Sequence, residues 1–358
     1  MITLGGMAVW GPNGNGSPTL AVDLWGHQSR GNVPNVTTLV GNAPRPTRHR
    51  DMKEMFVTAY RAFASMCRTV DEPGIAIVAV HEATGRAQGL VTLRARVERH
   101  VAAIVGRHDS SDLYLDRAPE MALRHLAIIL DPVSSWSRGD SSVRYRVLDL
   151  RTEHGFADEN GRQLRGICCE GPALIRAGGH ALFLLPLGDP SDWPDSADDA
   201  WGFLPERVYF DELLVHPEGS MRLPRKKKSE RKSMIFRTHG PRDTSTGSVS
   251  ASGTIGGSID LIGPNLAGQI KVGERELADG VLLGRYARCD SAAFVDDPSM
   301  SRVHALLIKI DERILLVDTG SVNGTRLVGE HRARVIEMSG DTDFQLGKAT
   351  KARWRFAG

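Results

Sequence analysis

Apolar residues recur along the chain with two different periods. Over residues 51 to 70, DMKEMFVTAYRAFASMCRTV, the residues Met55, Phe56, Ala59, Tyr60, Phe63 and Cys67 fall at three- and four-residue steps. That spacing puts them on one face of an amphipathic helix. A stripe of Met and aromatics is packing material, so the pattern predicts a helix docked on the domain next in the chain. Beyond it come apolar runs of strand length: Ile75 to Val80, VAAIV before Gly106-Arg107, LAIIL after Arg124-His125, and Leu182 to Leu185. In the C-terminal part, Val281-Leu282-Leu283 closes on Gly284. Ala305 to Ile308 with Ile310, then Ile314 to Val317, flank the turn-forming pair Asp311-Glu312. This is a hairpin, and Trp354 and Phe356 alternate with charged residues in a last strand. The expected class is mainly β with one N-terminal helix.

Polar residues gather at the ends of the C-terminal hairpin. Ser301-Arg302-Val303-His304 leads in, and Asp318-Thr319-Gly320-Ser321-Val322-Asn323-Gly324-Thr325 leads out. A compact sheet brings both beside the Gly284-Arg285 loop, so one rim collects Arg285, Ser301, Arg302, Ser321 and Asn323. Guanidinium groups offer planar forks of donors to an oxyanion. A hydroxyl adds another donor, and an Asn amide both donates to and accepts from an extended backbone. A phosphate carried on a peptide is the guest that suits this set.

The order glycine-arginine, serine-arginine-x-histidine, serine-x-asparagine-glycine-threonine resembles the forkhead-associated (FHA) family, over residues 259 to 358. The resemblance implies a β-sandwich whose loops bind phosphothreonine at one end. Carried across, it gives Arg285 and Ser301 the phosphate, Arg302 an added charge beside it, Asn323 the peptide backbone, and Ser321 a supporting part. Gly284, His304, Gly324 and Thr325 become structural positions, with Gly284 allowing the loop to turn and His304 tying neighbouring loops. No second His or Cys stands near His304 at metal-ligand spacing.

A weaker copy of the pattern precedes it. Gly106-Arg107 answers Gly284-Arg285, Arg124-His125 answers Val303-His304, and Asp149 to Gly155 lines up with Asp318 to Gly324. Further on, Ala173-Leu174 is matched to Val335-Ile336 and Leu182 to Leu185 to the strand at Phe344 to Leu346, with a final strand expected at Arg207 to Leu214. In this copy Ala122 stands for Ser301, Leu123 for Arg302, His154 for Asn323 and Thr152 for Ser321. Only Arg107 persists among the phosphate contacts. The first copy therefore reads as a scaffold or a phosphate-independent docking or dimerisation surface. The sharper alternative is an altered anion site at Arg107, Thr152 and His154. His108, His125, His154 and His180 match no metal-binding spacing, and no metal or cofactor is expected.

Charge changes the picture little. Lys and Arg number 45 against 43 Asp and Glu, a formal net charge of +2, which gives no overall attraction to nucleic acid. Cys67, Cys168, Cys169 and Cys289 form no CxxC pair, as in a reducing compartment. No apolar run reaches membrane-span length, and the start of the chain lacks a basic-then-apolar leader. A cytoplasmic protein is expected.

The organisation read from these features is a flexible tail at 1–50, helix and strand packing on the first domain at 51–85, a divergent FHA-like sandwich at 86–215, a linker at 216–258 and an FHA domain at 259–358. The linker is basic from Arg222 to Lys232, then rich in Ser, Thr and Gly, a composition that buries no core. Its Ser229, Ser233, Thr244, Thr246 and Thr254 are candidate kinase targets, and a phosphorylated linker could support self-association. The expected function is a non-enzymatic phosphothreonine-peptide adaptor or signalling scaffold, its partner a phosphothreonine-containing protein such as a Ser/Thr kinase or its substrate. Two other classes compete. One places catalysis in the N-terminal region, although no nucleophile-base pair or P-loop appears there. The other is nucleic-acid binding through the basic linker, which lacks interleaved aromatics.

Overall fold

The computed structural model describes residues 50–116, 118–136, 143–211, 232–242 and 254–357. The expected N-terminal tail before Arg50, most of the basic run, and Ser229, Thr244 and Thr246 lie outside the described residues.

Helix α1 (Met52–Arg68) carries the expected apolar face and starts at Asp51, whose carboxylate accepts from the Lys53 N–H. The first sandwich holds β1 (Gly74–His81), β2 (Ala87–Arg94), β3 (Val101–Gly106), β4 (Leu113–Tyr114), β5 (Leu126–Leu130), β6 (Arg144–Asp149), β7 (Phe156–Asp158), β8 (Gln163–Leu164), β9 (Gly166–Glu170), β10 (Ala173–Ala177) and β11 (His180–Leu187). After α2 (Ala197–Phe203) come β12 (Glu206–Phe210) and β13 (Lys232–Thr238). The second sandwich holds β14 (Ile255–Ile262), β15 (Ala267–Gly273), α3 (Glu274–Asp279), β16 (Val281–Leu283), β17 (Ala305–Ile310), β18 (Arg313–Asp318), β19 (Thr325–Leu327), β20 (Val335–Met338), β21 (Thr342–Leu346) and β22 (Thr350–Phe356).

The two sandwiches share their strand order. One sheet runs β2-β1-β11-β10-β7-β8 in the first and β15-β14-β22-β21-β19 in the second. The facing sheet runs β12-β13-β9-β6-β5-β3-β4 against β16-β17-β18-β20. This alignment corrects the expected one by a strand. β10 answers β21, and β11, paired antiparallel with β1 along its length, closes the first sandwich as β22 closes the second on β14. The first sandwich thus begins at β1, and Glu206–Phe210 is an addition to the opposite sheet. Part of the expected linker is also sheet: β13 lies between β9 and β12. Met234 and Phe236 pack against Cys168 on one face while Ile235 joins the central core on the other. Ser233 is buried there and donates to the carbonyls of Glu170 and Pro172, so it is no exposed kinase target.

Period-two alternation explains why the runs are apolar throughout. Ile75, Ile77 and Ala79 point into the first sandwich, while Ala76, Val78 and Val80 meet α1. Likewise Leu126, Ile128 and Leu130 face inward, and Ala127 and Ile129 face outward onto the second sandwich. There they join Ala102, Ile104 and Leu148 against Leu282, Leu306, Ile308, Leu315 and Val317. More than a covalent linker therefore joins the sandwiches: sheet packs on sheet, with β5, β6, β17 and β18 buried on both faces. The outer face of β3, β5 and β6 is spent on this contact, so that face of the first sandwich is not a free docking or dimerisation surface. Ion pairs border the seam, with Arg151 to Asp290 at 2.7 Å, Arg334 to Asp112 at 3.1 Å and Arg144 to Asp311 at 3.2 Å.

Candidate phosphopeptide site

The rim of the second sandwich is built on hydrogen bonds that hold three loops together. At the end of β16 the Arg285 and Tyr286 N–H groups donate to the carbonyls of Ser301 and Arg302. A Cβ on Gly284 would stand 2.1 Å from the Arg302 oxygen, so the glycine serves a close backbone approach rather than the expected turn. His304, fully buried, accepts from the Ser301 N–H at Nδ1 (3.0 Å), which leaves Nε2 to donate to the Gly324 carbonyl (3.2 Å). Burial holds its pKa below the ordinary 6.5, so the imidazole is the neutral tie that this geometry requires. Asp318 gathers the third loop: its carboxylate accepts from the Gly320 and Ser321 N–H groups and from the Ser321 and Thr325 hydroxyls.

On this frame stand the expected contact residues. Exposed Arg285 donates from Nε to the Met300 carbonyl at 2.9 Å, which directs the guanidinium while leaving its terminal nitrogens available. The Ser301 hydroxyl accepts from the Val322 N–H at 3.1 Å and keeps its own proton to donate. Asn323 donates from Nδ2 to the Ser299 carbonyl at 2.7 Å, leaving its carbonyl oxygen for a guest N–H. Arg285, Ser301 and Asn323 are thus all fastened around the segment from Ser299 to Ser301. Ser321 is buried, and its hydroxyl bonds Asp318 and the Gly324 N–H, so it braces the loop from beneath. Arg302 turns elsewhere: with Arg107 and Arg124 it lines a cleft of about 280 Å³ between the sandwiches.

Three positioning residues escaped the sequence reading. Asp318 is one. Asp297 is another: it holds the loop before Ser301 through Ser299 and ties it to β22 through Ala349 and Thr350. Burial pushes the Asp297 carboxyl up, but these donors outweigh it and leave the group below the ordinary carboxylate range. The third is Ser291, which bonds both the N–H and the carbonyl of Gly284. Short Asp and Ser residues in loops carry a general turn signal, and nothing in their spacing tells which loop they fasten. Cys289, given no redox role from sequence, is buried at the seam, and burial pushes its thiol up to about 12.

The first sandwich repeats the frame without its contact residues. His125 accepts from the Ala122 N–H at Nδ1 (3.1 Å) and donates from Nε2 to the Gly155 carbonyl (2.7 Å). The Thr152 hydroxyl bonds Asp149 and the Gly155 N–H, as Ser321 does in the other copy. A Cβ on Gly106 would stand 2.3 Å from the Leu123 oxygen. Of the altered anion site suggested by sequence, Arg107 and Thr152 line the cleft between the sandwiches, and exposed His154 does not. Among the described residues no group of three His, Cys, Asp or Glu is arranged to hold a metal, and no helix is long and apolar enough to cross a membrane.

Comparison with known proteins points to one family. The family model for the FHA domain matches residues 281–347. An oxoglutarate dehydrogenase inhibitor from Corynebacterium diphtheriae is 33% identical over 112 residues, which are 30% of this chain and 74% of that protein. The FHA-1 domain of Mycobacterium tuberculosis Rv1747 is 20% identical, matching 29% of this chain and 99% of that one with a TM-score of 0.24. An FHA domain from Arabidopsis thaliana is 21% identical, covering 31% of this chain and 96% of its own, TM-score 0.25. Through its C-terminal sandwich, the chain belongs to the FHA family.

Proposed function

We propose that the second sandwich reads phosphothreonine on a protein partner and that the chain is an adaptor. The observation that carries this is that Arg285, Ser301 and Asn323 are fastened around one segment, Ser299 to Ser301, each held by one hydrogen bond and each keeping a donor or acceptor free. Phosphothreonine brings about −1.5 to −2 charges and three acceptor oxygens. Arg285 supplies the fork, Ser301 the hydroxyl donor and Asn323 the hold on the peptide backbone. An aspartate or glutamate in the same place carries a single charge in another geometry and binds poorly. The FHA family assignment supports this reading, and so does the name of the corynebacterial relative, which describes an inhibitor of an enzyme.

In the same reading the first sandwich and α1 form a phosphate-independent scaffold that fixes the reader in place. Partners are phosphothreonine-bearing proteins, a Ser/Thr kinase or its substrate among them, and a phosphorylated linker threonine on another copy is a further ligand of the right chemistry. The test is fluorescence anisotropy of the full chain against a degenerate phosphothreonine peptide library with unphosphorylated controls. Binding that requires the phosphate and is lost in Arg285→Ala supports the proposal. Equal binding of phosphorylated and unphosphorylated peptides overturns it.

A further inference from the structure

The cleft between the sandwiches is distinct from the rim of the second one. Five arginines line it: Arg107, Arg124 and Arg151 from the first sandwich, Arg288 and Arg302 from the second. Glu153 also lines it, and Asp290 pairs with Arg151 at 2.7 Å. Around Arg124, burial and the charges of Arg302 and Arg334 outweigh the pull of Asp318 and Asp109 and lower its pKa. Arg124, buried, spends Nε and a terminal nitrogen on the neutral carbonyl of Gly320, at 3.2 and 2.6 Å. Arg288 donates to the Arg151 carbonyl and lies 5.9 Å from the Tyr286 ring. Neither Arg107 nor Arg302 has an ion pair among the described residues.

Two further observations point to an anionic guest. Arg151 is buried, and its Nε has no acceptor among the described residues. A buried charged donor left unmet is unfavourable, and a negative charge in the cleft that Arg151 lines offsets this through its field rather than by contact. His108 reports the local field: burial first, then Arg124 and Arg302, lower its pKa, against the opposing pull of exposed Asp109. Cations from both sandwiches are thus held close enough to repel one another, an arrangement that the apolar seam maintains and an anion would stabilise.

We propose that this cleft is a second oxyanion site, shared by the two sandwiches, that takes a second phosphoryl group on the same peptide. The inference rests on the phosphothreonine reading of the rim. What ties the two sites is the loop between them: Ser301 serves the rim and its neighbour Arg302 serves the cleft. A peptide held at Asn323 carries another phosphate across in an extended segment, at ~3.3 Å per residue, whose length is read by moving the second phosphate along the peptide. In this respect the first sandwich is more than a phosphate-independent scaffold: it supplies Arg107 and Arg124 to a ligand that the second sandwich captures.

The experiment uses the full chain and two series of peptides. One series carries a single phosphothreonine; the other carries in addition a phosphoserine moved through every position on either side. The second phosphate at the favoured position tightens binding about tenfold or more. Arg107→Ala, an exposed side chain outside the rim, removes that gain and leaves the singly phosphorylated peptide unaffected, and Arg107→Lys restores part of it. A gain that survives Arg107→Ala, or no gain at any position while the single phosphate still binds, overturns the shared site and leaves the rim reading standing. Should the single phosphothreonine not bind at all, the rim reading fails and the shared-peptide proposal fails with it. Titration with inorganic phosphate then reports the cleft alone, and saturable binding lost in Arg107→Ala would keep it as an anion site.

Discussion

At the rim of the first sandwich His125 ties two loops with the same pair of bonds that His304 makes in the second, and Thr152 braces its loop as Ser321 does. What stands on the two frames differs: Arg285, Ser301 and Asn323 in one, Arg107, Ala122 and His154 in the other. The comparison teaches that the buried polar frame belongs to the fold. Removing any of its members leaves a buried donor or acceptor unmet, so the frame is the same in both sandwiches although the residues standing on it differ. The exposed residues on top are free to change, and those are the ones that set specificity.

The comparison can be broken most forcefully at the seam. Arg151 and Asp290 are both almost fully buried where the sandwiches meet, and truncating Arg151 removes the cation beside Asp290, whose Oδ2 keeps the Leu282 N–H. Arg151→Ala is expected to destabilise the chain by ~3–5 kcal/mol in thermal or urea unfolding. An unchanged midpoint would show that the sandwiches are not joined there. Next in size, Arg285→Ala should lower affinity for a singly phosphorylated peptide by at least ~2 kcal/mol, tens of fold, and Arg107→Ala should not. Equal losses would mean that the two rims are not functionally different.

A graft sharpens the same contrast. In an Arg285→Ala background, Ala122→Ser with Leu123→Arg and His154→Asn should recover phosphopeptide binding by about tenfold, since the frame beneath is already present. A well-folded graft that recovers nothing would show that the first frame is not equivalent.

Acid should then weaken both frames in parallel. Burial lowers His125 and His304 below 6.5, so in the window below that value the unfolded chain takes up protons that the folded one refuses. The stability contributed is complete above 6.5 and is lost as pH falls toward the lowered folded values. Unfolding midpoints tracked downward from neutral pH check this; a rise in stability over that window would reverse the sign and refute neutral ties. The smallest effect is expected from exchanging the braces, Ser321→Thr and Thr152→Ser, at less than ~1 kcal/mol each. Both hydroxyls make the same two bonds, and a larger loss in one would mark a difference in loop packing.

Much of the fold was legible in the sequence, for reasons visible in particular residues. The helical face from Met55 to Cys67 and the runs LAIIL and ALLIKI announced their periods, and the motif spacing gave the rim its members. The closing strand of the first sandwich was misplaced because β10 and β11 are both short apolar runs, and pattern alone does not say which of them pairs with β1. Ser233 looked like linker because basic residues precede it, yet Met234 to Phe236 find a free edge of β9. Arg302 fell into the rim by spacing, while its side chain lines the cleft with the other sandwich.

By itself the sequence determined the class of fold and the C-terminal family motif, because those are carried by local period and by residue spacing within one sandwich. Tertiary structure alone decided that the two sandwiches dock sheet to sheet, that β12 and β13 extend the first, and that arginines from both line one cleft. These depend on outward-facing apolar residues and on charges far apart in the chain. Strand periodicity says that a residue faces outward; only the folded molecule says what it meets there.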